Sequence, residues 1–280
     1  MIQEDLYKSW SSHWEFKTPL YMNHGSFGAA PKAVNDLKME LECEMTRDPQ
    51  GHFWNELRES YDEARQTIAA FVNAPVADVV LLDNATEALN VVLKSRHFAP
   101  GDQILMTNHG YPPFHDLMKE FSRRTGVEVI VARIPFPVMS EADVIDAILQ
   151  CATARTRLAV IDHISSPTAL VFPITDIVQR LNHQGIDTFV DGAHGIGHLQ
   201  LDMQEIGTAY YASNNHKWLC APLSSAFLYV RPCRQDKIIP LCGSKGSTKD
   251  HPFAERFAWQ GTKNMAARLC LPETIRYMAA

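Results

Sequence analysis

Between residues 79 and 230 the apolar positions fall in short unbroken runs rather than in alternation with polar ones. Val79-Val80-Leu81-Leu82, Ile104-Leu105-Met106, Val127 to Ala132, Leu158-Ala159-Val160-Ile161, Thr188-Phe189-Val190, Ala209-Tyr210-Tyr211 and Ser225 to Val230 each read as a strand buried on both faces. Helical stretches separate most of them. One runs from Asp83 to Leu93, one opens at Pro112-Pro113, one spans Ser140 to Leu149 with Ser140 as N-cap, and one spans Ile174 to Leu181. Strands alternating with helices predict a mainly parallel sheet covered on both sides, a three-layer α/β fold.

Before residue 79 the period is helical. Pro31 suits a first helical turn, and Val34, Leu37, Met39 and Leu41 follow it. Asp48-Pro49-Gln50-Gly51 is expected to end that helix. Leu57, Tyr61, Ala64, Ile68 and Phe71 recur at steps of three and four, which predicts a second helix. Residues 1 to 30 read as an arm and an entrance loop, with residues 31 to 280 as the large domain. Trp10, Trp14 and Phe16 are too apolar for a free tail, so the arm is expected to pack on the rest. Gly25 and Gly28, in Tyr21-Met22-Asn23-His24-Gly25-Ser26-Phe27-Gly28, mark a loop with close backbone approach.

Sheets of this kind bind ligands at the carboxyl ends of their strands. The polar residues collect there: Asn84 and Thr86, Asn108 to Tyr111, Asp162 to Ser166, Asp191 and His194, and Asn214 to Lys217. Asp191 closes an apolar strand and needs a partner for its charge, whether a ligand, a helix cap or an ion pair. Lys217 lies between His216 and Trp218, and apolar surroundings favour a lowered lysine pKa. A buried acid on one strand and a lysine just past the next is what pyridoxal phosphate requires: the acid keeps the pyridine nitrogen protonated and the lysine forms the Schiff base. Thr86 opens a helix and is placed either for a phosphate or as a plain N-cap. His194 and His198 have a zinc-ligand spacing, but Gly195 and Gly197 between them argue against the helix that spacing needs.

Composition narrows the class. A chain of 280 residues with 46% hydrophobic and 21% charged residues is an ordinary globular protein. The net charge of −6 gives no footprint for nucleic acid, and no run approaches the roughly 20 apolar residues of a membrane span. The first residues are acidic and lack the apolar core of a secretory signal. Six scattered cysteines with no C-x-x-C pair suggest a reducing compartment, hence the cytoplasm.

Taken together these stretches resemble the class V aminotransferases among the fold-type I pyridoxal phosphate enzymes, and within them the isopenicillin N epimerase-like branch. The matching segments are Asn23-His24-Gly25-Ser26-Phe27-Gly28, Asn84-Ala85-Thr86-Glu87-Ala88, Ser165-Ser166-Pro167-Thr168-Ala169-Leu170-Val171, Val190-Asp191-Gly192-Ala193-His194, Asn215-His216-Lys217-Trp218 and Trp259-Gln260-Gly261-Thr262. The resemblance implies that Lys217 is the Schiff-base lysine, that Asp191 meets the pyridine nitrogen, and that His194 lies near the ring's phenolic oxygen. It places Tyr111 over the pyridine, Thr86 and His216 at the phosphate, and Ala85 among the cofactor-binding residues. Ser166 and Thr168 would line the pocket beside the cofactor, and Asn23, His24 and Ser26 the substrate entrance. Thr262 would reach the phosphate of a neighbouring subunit in a homodimer with shared active sites.

The implied function is a pyridoxal phosphate enzyme acting on an amino acid through an external aldimine at Lys217. Epimerisation or C–S cleavage is favoured, with transamination a third outcome. The family's smaller C-terminal domain, which carries an arginine for the substrate carboxylate, is expected to be largely missing. A catalytically silent dimerisation or binding module is the alternative.

Overall fold

The computed structural model describes residues 12–16 and 21–279. Trp10 and part of the expected arm lie outside them. The fold is built on one seven-stranded sheet. Its strands are β1 (Val79–Leu82), β2 (Gln103–Thr107), β3 (Glu128–Ala132), β4 (Thr156–Asp162), β5 (Asp187–Asp191), β6 (Tyr210–Asn214) and β7 (Ala226–Val230), in the spatial order β1-β7-β6-β5-β4-β2-β3. Four of the six pairings are parallel; β7 runs antiparallel to both β1 and β6.

Successive side chains on a strand point to opposite faces, so a strand apolar at every position feeds two cores. One core takes Val79, Leu81, Leu105, Ala159, Ile161 and Val190. Against that face pack α2 (Leu57–Phe71), α5 (Glu141–Cys151) and α6 (Ile174–His183), through residues such as Ile68, Ile148 and Ile177. The other core takes Val80, Leu82, Ile104, Met106, Val160 and Phe189. It is covered by α3 (Ala85–Ser95) and α4 (Pro112–Thr125), through Leu89, Val92, Phe114 and Met118. The three expected layers are present. Apart from Arg157 in β4, the strand positions that are not buried lie in β3, at the sheet edge.

The first helix, α1 (Lys32–Arg47), starts after Pro31 as expected. The expected stop holds, since α1 ends at Arg47 with Asp48 as its C-cap, and the same segment opens a new helix. The Asp48 side chain accepts from the Gly51 amide with Pro49 in the first turn, so Asp48 caps a new helical turn that leads through a π-helical turn, His52–Glu56, into α2. Asp and Pro in sequence end one helix and start another equally well, because both belong to helix N-termini.

Trp14 stacks on Phe16 with ring centroids 5.5 Å apart, and Phe16 stacks on Tyr21 at 5.2 Å. The loop that follows runs tight against the sheet's carboxyl end. A Cβ added at Gly28 would lie 1.9 Å from the His216 carbonyl oxygen, so only glycine lets this loop pass the Lys217 turn.

Candidate active site

The strand ends and the loop from Gly25 to Gly28 enclose a cleft of about 480 Å³, large enough for a small cofactor and part of a substrate. Ser26, Asn84, Ala85, Thr86, Tyr111, Ser166, Asp191, His194, His216 and Lys217 line it. Residues separated by nearly two hundred positions converge because β1, β4, β5 and β6 all end at this side of the sheet.

Lys217 sits in the turn between β6 and β7 and is 9% exposed. Burial lowers its pKa, opposed by the charges of Asp191 and Asp162. Its Nζ is 3.2 Å from His194 Nε2 and 5.8 Å from the centre of the Tyr111 ring. Desolvation, with the charges of Lys217 and His198 adding to it, pulls the His194 pKa down to about 4. The imidazole is therefore neutral at physiological pH.

Asp191 ends β5 and is 4% exposed. Its Oδ1 accepts the Ala193 amide at 3.0 Å. Burial raises its pKa. Asp162, at the end of β4, is its direct register partner and equally buried. Desolvation first, and the Asp191 charge second, raise the Asp162 pKa well above the usual carboxylate range. Two buried carboxyl groups on neighbouring strands cannot both ionise easily, so Asp162 takes the proton and Asp191 the charge.

A folded-state carboxyl with a raised pKa contributes stability at low pH that is lost as pH rises above the ordinary carboxylate value. Asp162→Asn removes the ionisation and keeps the shape. The cofactor-free variant is expected to melt about 2–4 °C higher than wild type at pH 7, and at the same temperature near pH 3. Melting curves offset equally at both pH values would refute a titrating Asp162.

The first turn of α3 forms the far end of the cleft. Asn84 is its N-cap, accepting the Glu87 amide at 2.8 Å, and the Ala85 amide donates to Asn214 Oδ1 at 2.8 Å. The cap role therefore belongs to Asn84, and Thr86 is left exposed on the cleft wall with an amide and a hydroxyl suited to a phosphate. Ala85 lines the cleft, but its amide is already engaged. His216 donates through Nδ1 to the Ser225 carbonyl at 2.9 Å. Its other nitrogen can donate to an anion only when the ring is protonated, a state that a bound phosphate would favour.

Some expected residues stand elsewhere. Thr168 is not among the residues lining the cleft; its hydroxyl bonds His109 Nδ1 at 2.9 Å and Ser165 Oγ at 2.7 Å. His24 is half-buried among Trp14, Phe16 and Tyr21, with the Cys220 thiol 3.5 Å from its Nδ1. Asn23 pairs with Ser26 and faces a smaller adjoining chamber of about 190 Å³, which Ser26, Ser166 and His194 share. Thr262 is exposed and does not line the cleft of its own chain. Its neighbour Lys263 pairs with Asp83 at 3.1 Å, and the buried Arg268 pairs with the same carboxylate. Among the described residues no group of three His, Cys, Asp or Glu could hold a metal ion. His198 instead lies over the Trp218 ring, with centroids 4.0 Å apart.

The family model described as aminotransferase class-V matches residues 29–280. A probable L-cysteine desulfhydrase, chloroplastic, of Arabidopsis thaliana is 33% identical over 273 residues, covering 92% of this chain and 58% of that protein. Isopenicillin N epimerase of Streptomyces clavuligerus is 28% identical over 276 residues, covering 94% and 69%. Across four desulfhydrase relatives the chain spans 56% to 60% of their length. Among solved structures, the cystine C-S lyase C-DES superposes with a TM-score of 0.80 at 21% identity, covering 92% of this chain and 71% of that one. The cysteine desulfurase CsdA of Escherichia coli gives 0.79 at 21% identity, covering 98% and 71%. These last two show the same fold.

Proposed function

The chain belongs to the class V aminotransferase family, and from that premise we propose that it is a pyridoxal phosphate enzyme acting on an amino acid, with C–S cleavage of a cysteine-like substrate as its reaction. The observation that carries this reading is the placement of a buried Lys217, 3.2 Å from His194, in one cleft with a buried Asp191 and a helix N-terminus.

The donors fit the cofactor. Thr86 and the first turn of α3 would take the phosphate, with His216 beside them. Asp191 would take the pyridine nitrogen, and Tyr111 would offer a ring to stack on. Lys217 is the only lysine lining the cleft among the described residues. Bound there, pyridoxal phosphate supplies an electron sink for charge that develops at the amino-acid α-carbon.

The protein's own groups do the rest. Lys217 Nζ is the base that can remove the α-proton, because burial keeps its pKa low. The buried Asp191 carboxylate, held by the Ala193 amide, would fix a positive partner at the inner end of the cleft. Desulfhydrase chemistry conserves atoms without an oxidant: cysteine and water give pyruvate, ammonia and sulfide. Incubation of the chain with pyridoxal phosphate and L-cysteine is expected to release sulfide and pyruvate in equal amounts. Loss of α-deuterium without sulfide would point instead to epimerisation, as in the isopenicillin N epimerase relatives. No uptake of the cofactor would favour the non-catalytic module.

A homodimer fits the surface. Trp54 is 76% exposed and stacks on Trp259, beside the loop that carries Thr262. An exposed indole seated on a half-buried one is suited to burial against a second copy. Sedimentation at micromolar concentration is expected to show a dimer; a stable monomer would contradict it. Six free thiols are compatible with a cytoplasmic protein.

A further inference from the structure

We propose that Trp218 is a positioning residue: its indole N–H fixes His194 as the tautomer protonated on Nε2, so that the imidazole donates towards Lys217 Nζ. The two contacts of the His194 ring determine this. Trp218 Nε1 lies 3.1 Å from His194 Nδ1 with hydrogen-bonding geometry. An indole nitrogen only donates, so Nδ1 must accept and carries no proton. A neutral imidazole has one N–H, which is then on Nε2, 3.2 Å from Lys217 Nζ. Lys217 must present a lone pair to accept it. An ammonium there would require His194 to accept on both nitrogens, leaving a ring with no proton. The reverse tautomer would set two N–H groups against each other at Trp218.

The indole is held firmly enough to impose this choice. His198 lies over its ring at a centroid distance of 4.0 Å. On the loop side, a Cβ added at Gly25 would come within 2.9 Å of Trp218 Cζ2 and 3.4 Å of His194 Cε1, so the glycine backbone closes on both rings. Below, Gly197 has φ +82° and a Cβ there would lie 2.5 Å from the Trp218 carbonyl carbon. The turn that carries His194 thus wraps the residue that orients it. Burial keeps the imidazole neutral, with a pKa of about 4, so the tautomer persists across the working pH range.

For catalysis the consequence is that Lys217 is kept as a free amine, the form that attacks a carbonyl carbon and takes a proton. That consequence rests on the proposed role of Lys217. The tautomer does not, because it exists before any cofactor binds.

The test is a long-range proton–nitrogen NMR spectrum of the cofactor-free, 15N-histidine-labelled chain at neutral pH. The His194 signals are identified by their loss in His194→Gln. Wild type is expected to give the pure Nε2–H pattern. Trp218→Phe keeps a ring between Gly25 and His198 and removes the donor, and is expected to abolish the single-tautomer pattern. The buried His163, whose Nδ1 faces the Tyr211 hydroxyl at 2.8 Å, is the internal control for folding, and its pattern should stay unchanged. An Nδ1–H pattern in wild type overturns the proposal, and so does an unchanged His194 pattern in a folded Trp218→Phe chain. Should that variant unfold, the wild-type tautomer decides alone. None of these outcomes depends on whether the chain takes up pyridoxal phosphate or turns over cysteine.

Discussion

The Lys217→Ala chain is expected to carry no pyridoxal phosphate that borohydride can fix to it, whereas wild type is labelled once, at Lys217. Turnover of any amino acid should fall by at least about a thousandfold, because the variant loses both the nucleophile and the base. Among the described residues no other lysine lines the cleft. Lys263, at the Asp83 end, is engaged in an ion pair at 3.1 Å and is absent from the cleft wall. The variant should stay folded, since alanine in a turn avoids burying an amine. Phosphate-end binding should survive as weak, reversible cofactor uptake, because Thr86 and the α3 amides are untouched. Peptide mapping after reduction separates the outcomes. Label on another residue, or undiminished label in the variant, would remove Lys217 from the mechanism.

Much of the scaffold was legible because burial on both faces leaves a plain mark. Val79 to Leu82 are all buried, and the unbroken run announced it. Strand direction left no such mark. Nothing in Ala226 to Val230 says that β7 runs antiparallel; that follows from the short turn through Lys217, which is too brief for a crossover. The site was legible as polar residues at strand ends. It was less legible in its details, which depend on rotamers and on register. Asp162 stood among the strand-end candidates without a role, and only the β4–β5 register sets it beside Asp191. Trp218 read as apolar company for the lysine, while its useful atom is the indole nitrogen. Thr168 and His24 share motifs with cleft residues, but neighbours in sequence point to different sides of a loop. Asp83, Lys263 and Arg268 lie up to 185 positions apart, so no local pattern could join them.

The Asp191→Asn substitution tests the electrostatic half of the site separately from the covalent half. Asparagine keeps an Oδ1 that can accept the Ala193 amide, as Asp191 does at 3.0 Å, so the turn leading to His194 should hold its shape. What disappears is a full negative charge at a position 4% exposed, where no solvent replaces it. A neutral amide cannot hold a proton on a pyridine nitrogen, and a preorganised buried charge of this kind is worth about 10²–10³-fold in kcat. Lys217 is intact, so borohydride should still fix the cofactor to the chain. Loss of turnover with retained labelling is therefore the expected signature, whereas Lys217→Ala loses both. The pH response adds a second reading. Without the Asp191 charge, Asp162 loses the neighbour that helps raise its pKa, and Lys217 loses the largest charge that opposes desolvation. The lysine pKa should fall further, so residual activity should extend to lower pH than in wild type. A variant that keeps wild-type turnover, or that loses labelling and turnover together, would mean that Asp191 serves the fold of the β5 turn rather than the chemistry of the cleft.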